Sequence, residues 1–364
     1  MNIVMCKEPV EKLKALSLVD ILKKNIINEI ERMKSAKNKN ELRQIYIKYV
    51  YRNYIKVRYK LELYEDELFS YVAQPDEINV RNISPKIVRV DGNRKLRLLF
   101  RYLTFYWSFP VSEGVGRRIK FIIFDEYNNK VIGLIGLRDP VIGLKARDKW
   151  IGWNLKEKKK YLWHVMDAGV LGAIPPYSQL LGGKLISSIL ISKEIRKEIE
   201  RRYGLRHGFS VVLYTTITVY GKSSMLSRLK YWHFIGYTTG KTTVHIDFDL
   251  LKQLLISNND PEVKKYKFGD GPNWKLRLAR KASKILGFDI TDVGIRRGIY
   301  AAPLANNFRE ALRGIEKPNY YDFSITDISE YVKERYMIPR SKRIKLYPPL
   351  RVSTIMKMVR SYES

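Results

Sequence analysis

Leu171-Gly172-Ala173-Ile174-Pro175-Pro176-Tyr177-Ser178-Gln179-Leu180-Leu181-Gly182-Gly183-Lys184 decides how the middle of this chain is read. Its first four residues end an apolar strand, Pro175-Pro176-Tyr177 is a stiff bend, and Gln179 to Lys184 opens a helix. Glycines at a helix start let backbone N–H groups approach an anion, and the helix dipole favours the negative charge. Gly182, Gly183 and Lys184 are therefore candidate anion-binding residues, with Gln179 just before them. Two glycines before a helix also serve plain packing, and both readings stand at this point.

Outward from the turn, helical and strand patterns alternate. Strands are expected over 86–90, 118–124, 131–137, 169–174, 211–216 and 242–248, with a turn at Asn128-Asn129. Helices are expected over 93–106, 156–165, 183–203 and 223–231. The N-terminal part reads as two helices, over 9–35 and 41–72, separated by the Asn-rich stretch 37–40. Pro75 and Pro85 bracket a linker. After 250 the chain turns basic, with helices expected over 274–286 and 308–313. The organisation expected is a helical segment 1–75, an α/β core 86–249 and a basic, partly helical extension 250–364, an α+β fold with a mixed central sheet flanked by helices.

Charge dominates the composition. Of 364 residues, 68 are Lys or Arg and 37 are Asp or Glu, a formal net charge of +31. Such a field attracts polyanions, and nucleic acid, DNA first, is the expected partner. Heat-adapted surfaces also gain Lys and Arg, but they balance Lys with Glu. The single cysteine, Cys6, allows no intramolecular disulfide. No apolar run reaches the roughly 20 residues of a membrane span, and Met1 to Glu8 has no long apolar segment. A cytoplasmic protein without a membrane partner is expected.

Three further groups are candidates for chemistry. Around Arg147, Asp148, Trp150 and Trp153 the sequence offers either a packing corner with Asp148 as a cap, or an acid/base carboxylate beside a base-stacking platform. Lys222, Ser223 and Ser224, with Tyr220 before them and Arg228 after, suit phosphate, or else Ser223 or Ser224 caps a helix. The segment 331–360 interleaves Tyr336 and Tyr347 with basic residues and reads as a nucleic-acid surface or a solvated tail. The four histidines follow no zinc spacing, and no Gly-x-x-x-x-Gly-Lys-Ser/Thr loop marks an ATP motor.

Gln179, Gly182 and the helix start resemble the pyrophosphate loop of GCN5-related acetyltransferases (GNAT), and the order hairpin, strand, Gly turn, helix, strand, helix, strand is similar to that family's. Lys184 stands where the family has Gly or Ala. The resemblance implies a GNAT-like core and acetyl-CoA, or a related acyl-CoA, as the ligand to test. A longer series resembles the DruA family of the Druantia anti-phage defence system: Arg117 to Phe121, Gly133 to Pro140, Ala146 to Trp153, Met166 to Tyr177, Leu181 to Leu185, Tyr220 to Leu229, Gly236 to Gly240, Arg297 to Tyr300 and Pro303 to Asn307. Gly169 and Ser227 depart from the family's usual aromatic residue and Asn. The resemblance implies a defence role beside a large helicase. Three mechanisms remain open. One is a nucleic-acid-binding subunit with an acetyltransferase-like core. Another is an acyl or group transferase acting on a nucleobase or protein amine, with Asp148 or Asp167 as base and Tyr220 or Tyr237 as acid. The third is a metal-dependent nuclease or transposon-type protein using Asp125, Glu126, Asp139, Asp148 and Asp167.

Overall fold

The computed structural model describes residues 18–112, 116–257 and 274–361, so Cys6 and the start of the helix expected over 9–35 lie outside the described residues. The N-terminal helices are α1 (Leu18–Ser35), α2 (Lys39–Ile55), α3 (Arg58–Leu63) and α4 (Glu65–Phe69). Then come β1 (Pro85–Arg89), α5 (Arg94–Leu103), β2 (Arg118–Asp125), β3 (Lys130–Arg138), α6 (Lys145–Ile151), α7 (Leu155–Tyr161) and β4 (Val165–Ala173). Next are α8 (Gly182–Ile189), α9 (Lys193–Tyr203), β5 (Leu213–Ile217), β6 (His233–Tyr237), α10 (Phe248–Ser257) and α11 (Trp274–Leu286). The chain ends with β7 (Gly298–Pro303), α12 (Phe308–Arg313), α13 (Ile325–Val332), α14 (Ile338–Ser341) and α15 (Val352–Ser361).

The chain divides into two compact units. One comprises residues 1–35 and 241–294, where α1 packs on α10 and α10 on α11. The strand expected over 242–248 does not form there. Ile246 N–H bonds back to Thr243 O at 3.3 Å, and the Asp247 carboxylate caps α10 by accepting from Asp249 N at 2.9 Å. β-branched residues favour a strand only when a partner strand is present, and a local cap won instead.

The other unit, 36–240 and 295–364, is built on a seven-strand sheet of order β1-β2-β3-β4-β5-β7-β6. Its fold is α+β with a mixed sheet. Strands β4 and β5 run parallel and every other pair is antiparallel. The β4–β5 pairing covers only Val165↔Leu213 to Asp167↔Thr215. The last strand in sequence, β7, comes from beyond the segment 86–249 and lies between β5 and β6. It escapes a reading by alternation because all six of its residues are buried.

Alternation along β2 and β3 divides the core. Phe121, Ile123, Ile135 and Leu137 pack with Leu185, Ile186 and Ile189 of α8, while Ile122 and Leu134 pack with Leu99, Phe100 and Leu103 of α5. Each such side chain, fully buried, contributes roughly 1.5–3 kcal/mol.

Helix boundaries follow side-chain caps. Asn38 caps α2 by accepting from Asn40 N and Glu41 N, and Asn93 caps α5 through Leu96 N. The helix expected over 41–72 is broken into α2, α3 and α4, and that expected over 183–203 into α8 and α9, where Ser192 caps the second piece. The helix expected over 223–231 is replaced by turns. Carbonyls that a helix would use there, those of Ser224 and Met225, accept from the Lys184 ammonium at 3.4 and 2.9 Å. The Tyr300 hydroxyl accepts from Ser223 N at 2.9 Å.

Residues 331–360 form no solvated tail. A π-helical turn, Lys333–Met337, follows α13, and Lys333 donates to Arg81 O and Ile83 O, both at 3.0 Å. Val352 and Met356 of α15 join the α5-side core. Among the described residues no helix is long and apolar enough to cross a membrane.

Candidate functional site

The Pro175–Pro176 bond is cis. Tyr177 then turns inward, donating to Asp125 Oδ2 at 2.7 Å and accepting from Asn128 Nδ2 at 2.9 Å. Leu181, with φ 62°, starts α8 from the left-handed region. Glycine is required at Gly182, where a Cβ would lie 2.6 Å from the backbone Tyr177 O, whereas one on Gly183 would meet only the flexible Met225 side chain, with Sδ at 2.6 Å. Both glycines therefore admit the chain's own atoms.

Lys184 is buried, donates to the Ser224 and Met225 carbonyls, and holds its ammonium 4.8 Å from the Tyr336 ring centre. Burial pushes its pKa down, and Arg228 adds to the shift. Gln179 is clamped from outside. Its amide donates to Tyr347 O at 2.9 Å and accepts from Tyr347 N at 3.0 Å, while Arg340 donates to Gln179 O at 3.2 Å. The structure thus brings Gln179, Gly182, Gly183, Lys184, Ser224 and Arg228 together, but as one packed corner in which segments 223–231 and 333–347 cover the turn.

The Arg147 cluster is likewise bonded within the chain, although Asp148, Trp150 and Trp153 are half-buried and Asp148 and Trp153 line an open hollow with Lys156 and Lys158. Arg147 is fully buried, chelates Asp148 Oδ1 at 2.6 and 2.9 Å, and donates to Val141 O and Ile142 O. Lys158 takes Asp148 Oδ2 at 2.6 Å. Trp153 Nε1 donates to Leu312 O at 2.6 Å. Trp150 stacks on Phe308 at 4.8 Å, and Arg309 donates to Trp150 O at 3.0 Å. These contacts are those of the packing corner, with both indoles occupied by protein.

Asp167 lies where β4 and β5 stop pairing. It is buried, bonded to Arg138 Nε at 2.9 Å and to Thr215 Oγ1 at 3.3 Å. Burial raises its pKa, opposed first by Arg138 and also by Arg147. Arg297 belongs to the same centre: burial lowers its pKa, while Tyr46 and Asp167 raise it and Arg138 lowers it. Burial pushes the Tyr46 hydroxyl up to about 12. Tyr46 packs edge-on to Phe109 at 4.9 Å and tilted to Tyr220 at 5.9 Å. Tyr220 shares a 2.8 Å hydrogen bond with Ser108, and burial raises its pKa. The Asp167–Arg138 ion pair thus lies within electrostatic reach of Arg147 and Arg297, with Tyr46 acting on Arg297 and Tyr220 packed on Tyr46. Sequence reasoning picked Asp167 and Tyr220 but missed Arg138, Arg297 and Tyr46. The signal available was that Arg138 and Arg297 fall within the motif series that carries the family resemblance.

Other predicted residues are scattered. Tyr237 is exposed, edge-on to Phe234 at 4.9 Å. Lys222 holds its ammonium 4.6 Å from the Phe234 ring. Ser223 Oγ accepts from Leu226 N at 3.3 Å, a turn cap. The carboxylates considered for metal chemistry are dispersed: Asp125 serves Tyr177, Glu126 serves Lys86, Asp139 serves Arg117, Asp148 serves Arg147, and Asp167 serves Arg138. Among the described residues no group of three His, Cys, Asp or Glu side chains is placed to hold a metal ion.

No solved structure matches the chain. A family model described as Druantia protein DruA matches residues 35–314. Over 297 residues the chain is 37% identical to the Druantia protein DruA of Escherichia coli (strain UMEA 4076-1), spanning 76% of this chain and 74% of that protein. The match runs through the packed turn, the Arg147 corner and the Asp167 centre, and by it the chain belongs to the DruA family of Druantia proteins.

Proposed function

We propose that the protein is a component of a Druantia-type anti-phage defence system that contacts nucleic acid, DNA first, through its basic surface, with an acetyltransferase-like core that does not act on acyl-CoA. The observation that carries the reading is the charge: +31 on 364 residues, with 68 cations against 37 acids. A defence component meets phage nucleic acid, and a polyanion is the ligand such a field selects. A large helicase is the partner the family resemblance suggests, since the chain carries no nucleotide-motor loop of its own.

Strand order supports the acetyltransferase-like core: a hairpin, β4, a Gly turn, α8, then β5 parallel to β4 and parting from it after Thr215. Occupation of the turn speaks against the cofactor. Met225 stands against Gly183, and Lys184 is committed to carbonyls. The purified full chain is expected to bind duplex or single-stranded DNA with log K falling steeply against log salt, each phosphate contact adding about 0.9 to the duplex slope. Affinity that is absent or indifferent to salt defeats this reading. Millimolar acetyl-CoA is expected to leave the melting temperature unchanged, and stabilisation of several degrees would restore the transferase reading.

A further inference from the structure

On the face of the sheet turned away from α8, a hollow of about 140 Å³ opens between α5, residues 109–112 and strands β2 to β4. Five cations line it: Arg97 and Arg101 from α5, Arg118 and Lys120 from β2, and Arg138 from β3. No Asp or Glu is in the lining. Convergence follows from secondary structure. Arg97 and Arg101 are one helical turn apart and share a face. Arg118 and Lys120 are two residues apart on a strand and share a face. Arg138 lies directly across from Arg118 in the β2–β3 register.

Two glycines line the hollow where neighbouring side chains come close. Gly136 pairs with Lys120 and with Val170. A Cβ there would lie 2.9 Å from Val170 Cβ and 3.5 Å from Phe100 Cζ, filling the floor. On β4 the register steps from Gly136↔Val170 to Leu137↔Ala168, so Gly169 is the extra residue of a bulge. A Cβ at Gly169 would meet the Arg138 guanidinium at 2.9 Å. Gly169 thereby admits Arg138, which is held in place by Asp167 at 2.9 Å and by Ser112 Oγ at 2.8 Å.

We propose that the hollow is a phosphate site, taking the phosphate group of a nucleotide or of a nucleic-acid strand. Arginine forks match phosphate oxygens in pairs, and a concave wall of one sign concentrates the field on an anion. The floor and sides, Phe100, Phe105, Phe109, Val111 and Val170, suit the ester side of such a group. The volume is below the ~300 Å³ of common small-molecule sites, so it fits a phosphate with its nearest atoms and not a whole dinucleotide-sized cofactor. The inference deepens the nucleic-acid reading when the phosphate belongs to a strand, and stands apart from it when the phosphate is that of a free nucleotide.

The test uses the full chain with three probes: inorganic pyrophosphate, AMP and a 5′-phosphorylated tetradeoxynucleotide, read by calorimetry and thermal shift. The double variant R97Q/R101Q is expected to weaken all three at least tenfold. The equal charge loss K156Q/K159Q, on exposed positions of α7 outside the hollow, is expected to change them less than twofold. If the double variant is unstable, K120Q, a single change inside the hollow, replaces it and is expected to weaken all three probes more than K156Q/K159Q does. Equal weakening by both double variants would assign binding to the general field and overturn the proposal, as would no binding of any probe to the parent protein. Tetranucleotide binding a hundredfold tighter than AMP identifies a strand as the source; equal binding identifies a free nucleotide. Pocket-dependent AMP binding without DNA binding keeps this site and removes the nucleic-acid reading. DNA binding untouched by R97Q/R101Q removes this site and keeps that reading.

Discussion

On the α8 side of β4, Lys184 is drawn into the interior, its ammonium on two carbonyls and a tyrosine ring, with segments 223–231 and 333–347 closing over it. On the α5 side of the same strand, Arg138 is fixed by Asp167, and four further cations gather round a hollow with no carboxylate in its wall. Both sides carry glycines and positive charge. All four glycines admit the chain's own atoms, but the two sides differ in what lies beyond them: Gly182 and Gly183 are closed over by the Tyr177 carbonyl and Met225, whereas Gly136 and Gly169, bounded by Val170 and Arg138, line an open hollow. The Gly turn that looks like an anion cradle in one dimension is packed against the chain in three, and the side without a glycine-rich turn presents the charge.

The largest test of this contrast is Asp167→Ala. It leaves Arg138 without its carboxylate and removes a negative charge that acts on Arg147 and Arg297, and loss of one partner from a buried pair costs roughly 3–5 kcal/mol. Urea unfolding should show that loss. A change below about 1 kcal/mol would mean that the centre is held by packing, and the contrast would lose its electrostatic half.

Next in size is a pH effect at the foot of β4. His164 is fully buried between Ser210 O at 2.9 Å and His207 at 3.1 Å. Burial pushes its pKa from 6.5 down to about 4. The folded state therefore binds fewer protons than the unfolded one between these values. Its contribution is intact above pH 6.5 and is lost as pH falls towards 4, about 3 kcal/mol in all. Histidine-to-glutamine replacement, His164→Gln, should flatten unfolding free energy against pH in that window. An unchanged slope would place the acid sensitivity elsewhere.

The smallest effect sharpens the comparison most. Lys184→Met removes donors to two carbonyls but also a buried charge, so about 1–2 kcal/mol of destabilisation is expected. DNA affinity and its salt slope should stay within twofold. A tenfold loss of DNA affinity in a folded Lys184→Met protein would return the anion site to the Gly182 turn and reverse the assignment of the two sides.

Much of the sheet was legible in advance. Alternating apolar residues and the Asn128-Asn129 turn marked β2 and β3, and Asn93 marked the start of α5. Errors fell where long-range partners override local preference. Lys184 and Tyr300 take the hydrogen bonds of 223–231 and prevent a helix. Buried small residues conceal β7. Of the candidate residues, Asp167 sits in the buried charged centre, while Asp148 and the two tryptophans sit in a packing corner. Their local patterns were equally suggestive.

Sequence by itself determined the charge imbalance, the family, the starts of several helices and the hairpin of β2 and β3. These depend on composition, on motifs in a fixed order, and on interactions between residues close in the chain. Tertiary structure alone decided that β7 enters between β5 and β6, that the C-terminal segment covers the Gly182 turn, and that Arg97, Arg101, Arg118, Lys120 and Arg138 share one wall. Those outcomes depend on which face of a strand or helix a residue occupies and on which distant backbone group reaches it first. Spacing along the chain does not encode either, because burial and hydrogen bonding are settled only when the layers pack.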